Sequence, residues 1–422
     1  MLFKIISRLY FMALFPAAWV YITIQSELSR FRNFGKKPVI RFETAYAGQK
    51  IMLLALYQKG HLRTDTLRLL QTAKEAGVYT IAVNTLKLKD PDAVRDLIGC
   101  YIERPNYGRD FGSYQNGFLH VYKRGWDKTC PRLMMINDSV FFTHDRMQKF
   151  MDDMMADGLE VLGSTENFDI DYHLGSFCIA MAQPILQNKI LKDYWRDYKL
   201  TDVRPTVIKR GELELSRVLK RVVSSQEQFN ALYSADRYLK LLAKDDDLLE
   251  FAVTHARGSR IFAWKRASLK GVAEEFRKRY LMRRFDFEEE EIKIDASKGD
   301  FLEERYLNSF ADLVRYFEHI LPEGEPFEPQ VLRDIIVSDF AESFMSGSQI
   351  HQNAAIMLRL GLPIVKLDAL YRGICDLHDI RKVLALLPED EAHELQAQLI
   401  ARPYGGRYLT GLKRAAFERG LI

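Results

Sequence analysis

Two short stretches carry the residue types that hold a charged ligand and react with it. The first is Asn106-Tyr107-Gly108-Arg109-Asp110-Phe111-Gly112-Ser113-Tyr114, and the second, about one strand later, is Ile136-Asn137-Asp138-Ser139-Val140. In both, small, charged and amide-bearing residues follow directly on an apolar run. Gly108 and Gly112 let the backbone turn sharply and approach a ligand closely. Arg109 offers a planar fork of donors and Asp110 a carboxylate acceptor. Asp138 adds a second carboxylate, flanked by Asn137 and Ser139. Taken singly, each stretch also fits a glycine-rich strand-to-helix turn with a local Arg–Asp ion pair. Two of them on consecutive strands point to a site.

Further candidates follow. An acidic loop carries Glu166, Asp169 and Asp171, and the next apolar run begins with His173 and Ser176. Glu212 and Glu214 stand two apart, so on a helix they diverge and only one can face a site. Lys366 lies inside the apolar run Ile364-Val365-Lys366-Leu367. A buried ammonium is costly unless paired. It therefore snorkels to the surface, meets a carboxylate, or meets the anionic group of a ligand.

The elements that would position these residues are legible as runs. Residues 50–57 (KIMLLALY) read as a buried first strand and 78–84 as a β-branched second. Residues 100–103 form a third, ended by Pro105, and 132–136 (RLMMI) a fourth. Between them lie a helix capped by Thr64 or Asp65 and closed by Gly77, a short helix opened by Asp90-Pro91, and a helix over 113–123. This alternation predicts an α/β fold with a parallel, doubly wound sheet, whose carboxyl edge holds ligands. Beyond it we expect a helix over 148–155, a strand over 159–164, one strand over 173–181 (HLGSFCIAM), and an amphipathic helix over 185–198. A helix should begin near Gly211 and run to 222. Residues 226–296, with the run Glu288 to Glu291, read mostly as solvated helix and loop. A helix over 349–360, closed by Gly361 with Pro363 beyond it, leads into the short strand bearing Lys366.

The chain has 422 residues, is 47% hydrophobic and carries a net charge of +4, a composition that supports a large core. That charge is concentrated in residues 1–37, where Lys4, Arg8, Arg30, Arg32, Lys36 and Lys37 oppose Glu27. The rest is nearly neutral, which argues against nucleic acid as a partner. Four scattered cysteines form no CxxC and read as buried free thiols. Residues 9–24 (LYFMALFPAAWVYITI) are uncharged. A helix of that length spans roughly 24 Å against a hydrocarbon core of roughly 30 Å. With basic residues on both sides, we expect a membrane-embedded or interfacial anchor with the body on the cytoplasmic side. A buried N-terminal core helix is the alternative.

Four segments in order, PNYGRDFGSYQNGF, LMMINDSVFF, DYHLGSFCIAM and HQNAAIMLRLGLPIVK, resemble the rhamnan synthesis protein F family of bacterial cell-surface polysaccharide assembly. The resemblance spans about residues 50–372, with little carried by 225–330. It implies a GT-A-like, Rossmann-type, mostly parallel sheet flanked by helices, acting as a glycosyltransferase on polysaccharide or lipopolysaccharide at the cytoplasmic face of the inner membrane. A nucleoside diphosphate sugar, of rhamnose or a related deoxysugar, would be the donor and a lipid-linked glycan the acceptor. The family commonly has a glutamine where Gly175 stands here, and Asn137-Asp138-Ser139 replaces a plain Asp-x-Asp.

On that resemblance, Asn106, Gly108, Arg109, Asp110, Gly112, Ser113, Asn137, Ser139 and Lys366 bind the nucleotide sugar. Asp138 ligates a divalent metal, Mg²⁺ or Mn²⁺, which would neutralise the departing diphosphate. The base that takes the acceptor's proton comes from Asp169, Asp171, His173 and Glu212, with Asp171 favoured for its place beside the His173 strand. A non-catalytic glycan- or partner-binding member of the same fold is the other reading. The implied organisation is a membrane-associated segment (1–37), a nucleotide-sugar-binding part (38–222), a charged helical insertion (223–300), completion of the transferase domain (301–380) and a helical tail (381–422).

Overall fold

The computed structural model describes residues 2–255, 309–320, 328–345 and 347–422. The run Glu288 to Glu291 and most of the expected charged insertion lie outside the described residues. The chain divides into two units, one of Met1–Leu232 with Gly361–Ile422 and one of Tyr233–Leu360.

The first unit opens with helix α1 (Leu2–Arg32) and strand β1 (Val39–Glu43). Four apolar strands follow, β2 (Ile51–Leu56), β3 (Tyr79–Asn84), β4 (Cys100–Glu103) and β5 (Arg132–Asn137). They are buried along their whole length, as strands covered on both faces must be. Ile51, Leu53 and Ala55 share one core with Phe111, Tyr114, Phe118 and Val121 of α3 (Arg109–Arg124), and the alternate residues Met52, Leu54 and Leu56 point to the other face. Helix α2 (Thr64–Glu75) connects β2 to β3. The four strands are parallel in the order β4-β3-β2-β5. The chain thus steps outward from β2 and then returns to place β5 on its opposite side. That reversal is a topological switch point, where the ends of β2 and β5 open a crevice.

Around this parallel centre the sheet is antiparallel, a departure from an all-parallel reading. β1 pairs with β4, and on the other side β9 (Cys178–Ala182) pairs with β5 and with β7 (Val161–Asn167). The expected single strand over 173–181 is two, since β8 (His173–Leu174) pairs with β7 and the chain bends at Gly175 before β9. A Cβ on Gly175 would lie 2.8 Å from both Thr165 Oγ1 and a Phe177 ring carbon, so this bend has no room for the family's glutamine. β6 (Val140–Phe142) pairs with β11 (Ile364–Lys366), bringing Lys366 beside Ser139.

Helix α4 (Met147–Met155) follows β6. The helix expected over 185–198 is broken at Asn188 into α5 (Gln183–Gln187) and α6 (Lys189–Asp197), with the Asn188 side chain capping Ile190 N. The helix expected to start near Gly211 begins earlier. α7 (Arg204–Val207) runs through a π-helical turn, Ile208–Leu213, into α8 (Glu214–Val222). Phe229–Tyr233, expected in solvated helix or loop, forms β10 at the sheet edge. All four cysteines are free and buried.

One face of α1 buries Ala18 and Ile22 against Val203, Ala416 and Leu421, the last two from α17 (Gly411–Glu418) and its end. Val20, Ile24, Leu28 and Phe31 repeat along the opposite, exposed face, Phe31 at 81% exposure. Among the described residues, no helix is long and apolar enough to cross a membrane. Helices α15 (Leu377–Leu384) and α16 (Glu389–Ile400) precede α17.

In its described residues the second unit is helical: α9 (Ala235–Leu242), α10 (Asp246–His255), α11 (Phe310–Ile320), α12 (Pro329–Met345), α13 (Gln349–Gln352) and α14 (Ala354–Leu360). The single helix expected over 349–360 is interrupted at Asn353. Tyr238 stacks on Phe344 and Arg333 pairs with Asp246.

Candidate active site

The turn after β4 is built around Arg104, a residue the sequence did not single out. Its guanidinium is buried and points back into the loop. Nε donates to Ser113 Oγ at 2.8 Å, Nη1 to the carbonyls of Pro105 and Tyr107 at 3.0 and 2.5 Å, and Nη2 to the carbonyl of Arg109. Burial lowers its pKa to about 10, and the charges of Asp110 and Asp202 oppose that shift. Gly112 is required by this packing, because a Cβ there would sit 2.7 Å from Arg104 Nη1. Gly112 and Ser113 thus face Arg104.

Gly108 turns the chain at φ 88°, and Arg109 follows at φ 49°, a left-handed backbone that costs a non-glycine residue energy. Both are held by Asp202, which accepts Gly108 N at 2.7 Å on Oδ1 and Arg109 Nε at 2.8 Å on its carbonyl. Asn106 is exposed at the tip. The helix expected from residue 113 therefore starts at Arg109, and Asp110 lies in its first turn, where the helix dipole favours an anion.

At the switch point, Asp138 is 8% exposed. Tyr57 N and Gln58 Nε2 donate to its carboxylate at 2.8 and 2.9 Å, both to Oδ2. Arg63, in a two-bond pair with Asp65, reaches over to the Asp138 carbonyl at 3.0 Å. Burial raises the Asp138 pKa; Arg63 and the two hydrogen bonds pull it back, and the Asp110 charge raises it further.

A chain of hydrogen bonds joins the two motifs. Asn137 Nδ2 donates to Asp110 Oδ2 at 3.0 Å, Ser139 Oγ donates to Asn137 Oδ1 at 2.5 Å, and Lys366 Nζ donates to Ser139 Oγ at 2.8 Å. Beyond the three options read from the sequence, the structure gives Lys366 a neutral hydroxyl partner, with the ammonium half-buried and its charge acting on Glu212.

Glu212 enters from the π turn. Gly211 allows this by letting the Phe111 ring pack where a Cβ would approach within 2.7 Å. π turns are frequent at functional sites because the extra residue re-aims a side chain. Glu212 Oε2 lies 3.9 Å from His173 Nε2, and His173 Nδ1 donates to the Asp171 carbonyl at 2.7 Å. Burial raises the Glu212 pKa; the charges of His173, Lys366 and Arg204 oppose this, and Asp110 adds to it. Asp110, His173, Lys366 and Arg204 therefore all act on Glu212.

The carboxylate of Asp171 is elsewhere, exposed and paired with Arg217 at 3.3 Å. Glu214 also pairs with Arg217, so of the two glutamates Glu212 turns inward. Asp169 lies in the same loop, its N–H bonded to Asn167 Oδ1. Gln58, Arg63, Arg104, Asp202 and Arg204 were missed. Gln58, Arg63 and Arg104 stand in loops at strand ends, and Asp202 and Arg204 at the entry to α7, places where a lone polar residue carries no periodic signal.

The family model for rhamnan synthesis protein F matches residues 78–238. The resemblance read from the motifs is borne out over that span, which includes both stretches, His173 and Glu212. An uncharacterized protein of Sinorhizobium fredii is 25% identical over 189 residues, 43% of this chain and 47% of that one. Virulence protein VirA of Vibrio anguillarum is 28% identical over 117 residues, 27% of this chain and 37% of that protein. The chain spans less than half the length of these curated relatives. Among solved structures, the glycosyltransferase GlyE of Streptococcus pneumoniae aligns over 69% of this chain and 64% of that one, with 11% identity and a TM-score of 0.22.

Proposed function

We propose that this protein is a glycosyltransferase of surface-polysaccharide synthesis, taking a sugar from a nucleoside diphosphate donor and acting at a membrane surface. One observation carries the reading. Where β2 and β5 part, Asp138 at the end of β5 feels the charge of Asp110 from the start of α3, and Asp110, Lys366 and Arg204 all act on Glu212 from the π turn, with Arg109 acting on Asp110. Mixed charge of this kind suits a phosphorylated ligand and a proton acceptor together.

The residues fit a hard divalent cation. Both hydrogen bonds to the Asp138 carboxylate fall on Oδ2, leaving Oδ1, and the Asp110 charge acts on the same group. Mg²⁺ or Mn²⁺ binds through one or two carboxylates plus phosphate oxygens, and bound there it would supply Lewis-acid neutralisation of the diphosphate. Lys366, Arg109 and Arg204 bind phosphate oxygens from the protein side. Glu212 takes the proton of the acceptor hydroxyl as its oxygen bonds the anomeric carbon and the bond from that carbon to the diphosphate breaks. A raised pKa makes Glu212 a better acceptor than an ordinary carboxylate. His173, fixed by its bond to the Asp171 carbonyl, orients it. The donor is rhamnose or a related deoxysugar and the acceptor a lipid-linked glycan, readings that rest on the family resemblance.

The test is a thermal-shift panel of nucleoside diphosphate sugars with and without Mn²⁺, followed by turnover on the stabilising donor. A metal-dependent rise in Tm with one donor, followed by turnover, supports the proposal. A protein that no donor stabilises, but that a glycan does, is a non-catalytic member of the fold.

A further inference from the structure

At the opposite end of the parallel strands from the candidate site, three side chains from three elements meet. Glu43 closes β1 and Cys100 opens β4, and the two are paired directly across the antiparallel ladder, so their side chains leave the same face of the sheet. His120, on the third turn of α3, comes down onto that face. His120 Nε2 lies 2.7 Å from Glu43 Oε2, and Cys100 Sγ lies 3.7 Å from each. We propose that Glu43, Cys100 and His120 form a binding site for a borderline-soft divalent cation of the Zn²⁺ class, separate from the switch-point site.

The geometry supports this. Zinc bonds of roughly 2.0–2.3 Å to oxygen, nitrogen and sulfur imply distances between tetrahedral ligands of roughly 3.3–3.7 Å. The two sulfur edges already match, and the third opens when the His–Glu hydrogen bond is exchanged for two metal bonds. Thiolate, imidazole and carboxylate together select zinc-like ions over Mg²⁺ or Ca²⁺. The outer shell is also in place. Arg124 Nη2 holds Glu43 Oε1 at 2.7 Å, leaving Oε2 turned inward, and the Trp126 ring stands edge-on to His120 at 5.3 Å. The Glu43 side chain is 19% exposed, so an ion can enter beside it and a water can complete the coordination.

Without an ion, burial and the Glu43 charge push the Cys100 thiol up to about 12, so it stays protonated. Binding replaces the thiol proton, which leaves to solvent. It also shifts the His120 proton from Nε2 to Nδ1, freeing Nε2 as the ligand. The ion would tie β1 and β4 to α3, the helix whose first turn carries Asp110.

The experiment is titration of chelator-treated full-length protein with Co²⁺ and then Zn²⁺, followed by absorption and Tm. One equivalent of Co²⁺ should give a thiolate-to-cobalt charge-transfer band that Zn²⁺ removes, and Tm should rise with Zn²⁺. Cys100→Ser should abolish the band, and His120→Gln should weaken Co²⁺ at least tenfold. Asp138→Asn should leave the band unchanged, which separates this site from the proposed catalytic metal. Absence of the band in the unmodified protein, its survival in Cys100→Ser, or its loss in Asp138→Asn would overturn the assignment.

Discussion

Asp138 is held by two donors on one oxygen, and its burial raises its pKa. Asp138→Asn keeps an oxygen for Tyr57 N and Gln58 and removes only the charge. Turnover should fall roughly 10²–10³-fold, about 3–4 kcal/mol of lost charge stabilisation, with nucleotide affinity in Mn²⁺ falling alongside, as titration calorimetry would show. The pH dependence of stability follows in sign. A carboxyl whose folded pKa lies above its unfolded value favours folding at low pH, and this is lost as pH rises through the folded pKa. At neutral pH the asparagine variant should therefore match or exceed the parent in Tm, and the gap should close as pH falls into the acid range. A variant much less stable at pH 7 would show that the charge has a structural partner.

Glu212→Gln should lower kcat roughly 10²–10⁴-fold with little change in donor affinity. The rising limb of the rate–pH profile should lie above the ordinary glutamate range and disappear in the variant. An unchanged limb would return the base to another group. The inward turn of one glutamate was legible from the spacing of Glu212 and Glu214. Its identity was not, because which of two residues faces inward depends on where the helix starts, and a π turn shifts that by a residue.

At the scale of elements, the β-α-β alternation and the boundaries of β2, β3, β4 and β5 were readable, since fully buried strands are apolar throughout. The antiparallel partners were not, because pairing direction is set by where the chain returns and leaves no mark on a short apolar run. The divided strand at Gly175 and the broken helix at Asn188 are local events that a continuous apolar pattern masks. The Arg104 turn was half legible. Its glycines signalled a tight loop, but nothing in their spacing marked Gly112 as the residue that clears an arginine. One tight joint between elements is the Phe111 ring on Gly211, where a Cβ would lie 2.7 Å from the ring. Gly211→Ala should cost about 1–3 kcal/mol in denaturant unfolding through overpacking. It should also move Glu212, so kcat should drop more than donor affinity. An equal loss of both would mean that the whole crevice deforms.

At the scale of the molecule, α1 is apolar on two opposite sides. Ala18 and Ile22 are committed to the body, while Val20, Ile24, Leu28 and Phe31 are exposed, with Arg30 and Arg32 in the last turn. We read the outer stripe as lying in a lipid interface. Full-length protein should sediment with anionic vesicles, and high salt should release only part of it, since apolar burial is not screened. Ile24→Asp with Phe31→Asp should cut partitioning at least tenfold, because each buried side chain contributes roughly 1.5–3 kcal/mol. Equal sedimentation of the double variant would place the contact elsewhere.

The inner side of α1 does more than pack. Ser26 Oγ accepts Asp202 N at 3.0 Å, and Asp202 in turn holds Gly108 and Arg109. Asp202 therefore links the seat of the helix to the Gly108–Arg109 turn, and any coupling between helix docking and donor binding at that turn obeys thermodynamic reciprocity. Whatever factor a docked helix adds to donor affinity, a bound donor must add to helix docking. Hydrogen exchange at the amides near Ser26 should slow when donor binds at the Gly108–Arg109 turn, and Ser26→Ala should weaken donor binding by a few-fold, about 1 kcal/mol for one lost hydrogen bond. Exchange near Ser26 that ignores the donor would show the two motions to be independent. If they are linked, the membrane becomes an allosteric ligand of the sugar nucleotide, and solution assays without lipid measure the weaker of two states.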